Sequence, residues 1–178
     1  MYAKILVPMD GSDASTLALN EAVQMAKEHG SKLRLLHIVK APMLDYGFST
    51  ADLSRRDVVA TLNKIGQRIL NNAETTVREG GLNAECMLFE SIEGSVAHVI
   101  LDQAKQWPAD LIVMGTHPRD TLIGVGRDTA EVLCESPTPV LLVRETSLPT
   151  ATNSHRPLDY ASGLCADGKM AVKSGCHP

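Results

Sequence analysis

Short continuous apolar runs alternate along this chain with longer segments in which apolar residues recur every three or four positions. Residues 4–8 (KILVP) are apolar after the first lysine and end on proline, as in a strand covered on both faces. The segment DGSDASTLALNEAVQMAKEHG follows. In it Leu17, Ala18, Ala22, Val23, Met25 and Ala26 recur at helical spacing, Ser12 or Asp13 can cap the start, and Gly30 stops it. KLRLLHIV is a second strand, and after the less regular APMLDYGFSTADLS a helix is expected from about Arg55 to Glu79, closed by Gly80 and Gly81. NAECMLFES reads as a third strand, 94–107 as a helix stopped by Pro108, and ADLIVMG as a fourth strand. About Arg127 to Ser136 is a fourth helix, and TPVLLVR a fifth strand.

Strict alternation of strand and helix implies βαβ crossovers, hence an α/β fold with an open parallel sheet and helices on both faces. Ligands in such sheets settle beyond the carboxyl ends of the strands, where strand order reverses. The first and fourth strands should flank that crevice. PMDGS and MGTHPRD then emerge side by side, although about 100 residues separate them.

Composition narrows the function classes. With 178 residues, 44% of them hydrophobic, the chain supports one core of about 140 residues plus appendages. A net charge of -4 gives no basic face to displace counterions from phosphates, and one tryptophan with 3% aromatics gives no base-stacking surface. Nucleic acid is not an expected partner. Nor is a membrane: the opening apolar run is five residues, and no window approaches the roughly 18 apolar residues of a span, so a cytoplasmic protein is expected.

The four cysteines show no CxxC, and Cys86 and Cys134 are expected as small core residues. No metal site is expected, since His155, Cys165, Cys176 and His177 are irregularly spaced. Residues 146–178, rich in Ser, Thr, Pro, Gly and Ala, should form a flexible tail after a domain over 1–145. No nucleophile elbow, HExxH or P-loop lysine pattern is present, so no catalytic residue is assigned and enzymatic activity is not expected. His37, in a buried strand, is expected to be hydrogen-bonded core, and His98 to lie on the polar side of its helix.

The opening KILVPMDGS, the strand end LLHIV, the fourth strand ADLIVMGTH and the closing TPVLLVR together resemble the universal stress protein family over residues 1–144. The resemblance implies a Rossmann-like sheet of order 3-2-1-4-5 and a homodimer built through the last strand, around Val140 to Val143. It also implies a stress-response role, with a possible protein partner.

Nucleotide-binding members carry G-x-x-G-x9-G-[ST] after the fourth strand. Glycine N–H groups, a hydroxyl and a helix N-terminus there meet phosphate. Here Gly115 fills the first position, Pro118 replaces the second glycine and has no N–H, Gly126 follows Gly115 by only eleven residues, and Arg127 stands where Ser or Thr belongs. Other positions keep the family's pattern: Pro8, Met9 and Asp10 at the first strand's end, with Asp10 toward the ribose or base; Val39 beside the adenine; and Met114, His117 and Thr129 along the nucleotide. Arg119 and Arg127 can replace the missing backbone donors, and Gly124 with Gly126 can re-form an anion nest.

Two readings follow. One is a protein that binds ATP or AMP, with Mg2+ accompanying ATP, through a remodelled loop. The other is a dimeric interaction module whose pocket is vestigial. A metabolic hydrolase of the same fold class is a weaker third.

Overall fold

The computed structural model describes residues 2–40, 51–91, 95–116 and 126–144, with 51–56 in backbone only. The tail expected from residue 146 lies outside the described residues. Five strands and four helices alternate: β1 (Lys4–Pro8), α1 (Asp13–His29), β2 (Lys32–Lys40), α2 (Ala51–Glu79), β3 (Ala84–Ser91), α3 (Val96–Gln106), β4 (Leu111–Thr116), α4 (Arg127–Glu135) and β5 (Val140–Arg144). The strands form one parallel sheet in the order β3-β2-β1-β4-β5, which bears out the expected architecture.

Successive residues of β1 enter opposite cores, because a strand's side chains alternate. Ile5 and Val7 pack with Leu19, Val23, Leu35 and Leu70 under α1 and α2. Leu6 packs with Leu36, Ile100, Ile112 and Val132 under α3 and α4. Ile5, Leu6 and Val7 are fully buried, and burying each such side chain stabilises the fold by about 1.5–3 kcal/mol. That two-sided burial explains why β1 reads as an unbroken apolar run.

Helix ends follow the caps. The Ser12 hydroxyl accepts from Ser15 N (3.1 Å), settling the choice between Ser12 and Asp13. Gly30 closes α1 in the left-handed region (φ 69), its N–H donating to Ala26 O. The second helix begins at Ala51, four residues before the expected start. Ala51–Ser54 precede the apolar periodicity and therefore give no signal of which face they share, although Ala and Leu are good helix formers.

Cys86 and Cys134 are exposed, not core. β3 is an edge strand whose pattern leaves Glu85, Cys86, Phe89 and Glu90 outward, and α4 buries only Thr129 and Val132. No helix among the described residues is long and apolar enough to cross a membrane.

The N-terminal edge of the sheet is clasped by side chains. Asp110 Oδ2 accepts from Ala3 N and Lys4 N at 2.9 Å each, and Lys4 Nζ donates to Trp107 O (3.1 Å). The Arg34 guanidinium stacks 4.5 Å from the centre of the Trp107 ring and pairs with Glu85.

Candidate functional site

The opposite edge of the sheet stays open. β1 runs beside β2 as far as Pro8↔Leu36, but is registered with β4 only at Ile5↔Leu111 and Leu6↔Ile112. Past those two pairs β1 and β4 share no register, and a cavity of about 780 Å³ lies at their carboxyl ends. That volume falls within the range of about 300–1,000 Å³ typical of small-molecule sites.

The end of β1 supplies Pro8, Met9 and Asp10 to the wall. Asp10 Oδ1 accepts from both Ser12 N (2.9 Å) and the Ser12 hydroxyl (2.6 Å), so the carboxylate organises the strand-to-helix turn. Enclosure by the surrounding protein pushes this carboxyl up, but hydrogen bonds from the Ser12 hydroxyl and N–H and from Ser15 outweigh it. The group is held below its usual range. Asp10 is therefore a fixed negative charge at neutral pH, with acceptor capacity remaining for a ligand hydroxyl or amine. Gly11 takes φ 83, which a side chain adopts only with strain, and this sharp turn is what delivers Ser12 to its capping position.

β2 contributes Val39, as expected, together with Ile38 and Lys40, which sequence reasoning missed. Lys40 Nζ lies 3.7 Å from Asp128 Oδ2 across the mouth of the cavity, an exposed pair of small energetic value. His37 Nδ1 lies 2.7 Å from Met9 O, and since a carbonyl only accepts, Nδ1–H donates. The ring thus braces the β1 end; it is hydrogen-bonded as expected, but it is half-buried at the cavity wall and not part of the core.

β4 supplies Met114 and Gly115. A Cβ on Gly115 would collide with the carbonyl of Ala14 and lie 2.6 Å from Ser15 N, so this glycine is where the first turn of α1 crosses β4. Its role is close packing, whatever else it does for a ligand. The far wall is the start of α4: Gly126 precedes the helix and makes no side-chain cap, leaving the first-turn N–H groups of Arg127, Asp128 and Thr129 at the cavity. Thr129 is buried and Arg127 exposed. Ile65 and Ile69 of α2 and Ile100 of α3 complete an apolar lining. Of the expected site residues, His117, Arg119 and Gly124 lie outside the described residues, and all the others line this one cavity.

Comparison with known proteins then decides the family. Residues 1–144 match the universal stress protein family. The chain belongs to that family. Among its universal stress protein relatives, YxiE of Bacillus subtilis is 34% identical over 155 residues, covering 81% of this chain and 100% of that one. A Thermus aquaticus universal stress protein is 33% identical over 149 residues, 81% of this chain and 100% of that one. Among solved structures, the universal stress protein UspA from Lactobacillus plantarum has a TM-score of 0.68 at 29% identity, covering 80% of this chain and 98% of that one. A universal stress protein solved in complex with cAMP has a TM-score of 0.57 at 25% identity, covering 80% and 97%.

Proposed function

We propose that this chain is a cytoplasmic stress-response protein that binds an adenine nucleotide, ATP or AMP, in the crevice between the ends of β1 and β4. The observation that carries this reading is the polarity of the cavity. One wall holds the fixed Asp10 carboxylate, suited to ribose hydroxyls or an amine. The other holds the α4 N-terminus, where backbone donors, the helix dipole and the Arg127 and Lys40 cations suit phosphate. Between them lie apolar side chains of Val39, Met114 and Ile100 for a base. The cAMP-bound relative supports the same ligand class. Arg127 supplies the phosphate donors that Pro118 and the shortened loop cannot, and Mg2+ accompanies ATP.

Binding would bias contacts of a homodimer formed through β5, one of the two outer strands of the sheet. Its residues 140–143 are half-buried and apolar, and such an edge invites pairing with a second copy or a protein partner.

One observation favours the other reading, a dimeric interaction module without nucleotide. Asp128 already places a carboxylate in the first turn of α4, where it opposes a phosphate.

A thermal-shift titration with Mg-ATP and AMP, read by circular dichroism, separates the two. A ligand at 100 times its Kd should add about 2.7 kcal/mol of stability, and Arg127→Ser should weaken binding by about tenfold or more. No shift at millimolar nucleotide would remove the nucleotide reading. A monomeric mass from light scattering at micromolar protein would remove the dimer.

A further inference from the structure

The seam between α3 and α4 carries a second cluster of ligating side chains, none of which lines the cavity. His98 of α3 faces Glu131 and Glu135 of α4: His98 Nδ1 lies 3.2 Å from Glu131 Oε1, and Nε2 lies 3.8 Å from Glu135 Oε2. One nitrogen and two carboxylate oxygens, one from each residue, all fall within 4.8 Å of one another. The arrangement has a local cause. Glu131 and Glu135 are four residues apart on one helix and so lie on the same face, one turn above the other. Ser95, which caps α3 by accepting from Ala97 N (3.1 Å), also donates its hydroxyl to Glu131 Oε2 (2.9 Å). That bond turns the other oxygen of Glu131 toward the imidazole, in the way that outlying hydrogen bonds orient metal ligands.

We propose that His98, Glu131 and Glu135 bind a first-row transition-metal dication of the Zn2+, Ni2+ or Cu2+ kind, tying α3 to α4. A tetrahedral zinc with bonds of about 2.0–2.1 Å places neighbouring ligand atoms about 3.3 Å apart, so the His98–Glu131 spacing already suits it. Glu135 closes the remaining gap by turning an exposed, flexible side chain. One ring nitrogen binds the metal, and water fills the open positions. Two carboxylates present two negative charges to a dication, and an imidazole nitrogen selects transition metals over Mg2+ and Ca2+, which prefer all-oxygen shells.

Calorimetric titration of the chelator-treated full-length protein with Zn2+ tests this. The wild type should bind one equivalent with a Kd below about 100 μM. The affinity should fall by about tenfold or more in His98→Ala and in Glu131→Gln, and excess Mg2+ should not compete. X-ray absorption of the zinc-loaded protein should show one imidazole among oxygen ligands. His98 is exposed, and Glu131→Gln keeps an oxygen that can accept from Ser95, so unchanged circular dichroism is expected to certify folding. Zinc binding that is equal in the wild type and both variants would place the metal on the other histidines or the cysteines, and would overturn the assignment. So would a wild type that takes up no zinc in this range, which would leave the cluster a plain ion pair.

Discussion

Gly115→Val is expected to destabilise the protein by about 3 kcal/mol, at the upper end of overpacking costs, and to lower its melting midpoint by about 6–12 °C. Gly115 does not have a positive φ, so valine is not excluded by backbone conformation; the obstacle is space. The new Cβ would meet the backbone of Ala14 and Ser15, and a helix backbone cannot swing aside as the end of a side chain can. To make room, the first turn of α1 must move, and Asp10 and Ser12 move with it because their hydrogen bonds join the turn to the helix. Circular dichroism melts of the variant and the wild type measure the effect. An unchanged midpoint would mean that α1 does not cross β4 this closely.

The second large effect belongs to Leu35→Ala. Leu35 is fully buried in the centre of β2, registered with Val7 on one side and Cys86 on the other, and packs in the core beneath α1 and α2. Removing a buried leucine side chain typically costs about 2–5 kcal/mol through reduced transfer energy and the cavity left behind. In urea the midpoint should fall while the slope is unchanged, because the surface exposed on unfolding is nearly the same. Leu35 does not line the cavity at the strand ends, whereas its neighbour Leu36 does. Ligand affinity measured where the variant remains folded should therefore match that of the wild type. A loss of stability under about 1 kcal/mol would contradict the tight core described for this face.

The elements are legible in the sequence because each carries a local signal: an unbroken apolar run for β1, Ser12 and Gly30 at the ends of α1, Pro108 after α3. The order of the strands is not, since nothing local states which strand lies beside which; it comes with the family resemblance, and the registered pairs bear it out. Residues at strand ends are the readable part of the site. Lys40, Ile65 and Ile69 are not, because their places in the wall depend on how α2 leans over β2 and where α4 begins. Gly115 reads as a phosphate-loop glycine, yet its crowding against Ala14 lies 101 positions away in sequence and leaves no local trace. The exposure of Cys86 and Cys134 escapes the sequence for a related reason. Residue type gives an average burial, and an edge strand or a helix with only two buried residues departs from it.

The Trp107 ring, held between the end of α3 and the Arg34 guanidinium, is the chain's one indole. It sits at the sheet edge opposite the cavity, about one strand length or roughly 15 Å away. Because the ring does not line the cavity, its emission is expected to follow unfolding of the sheet and not events at the cavity.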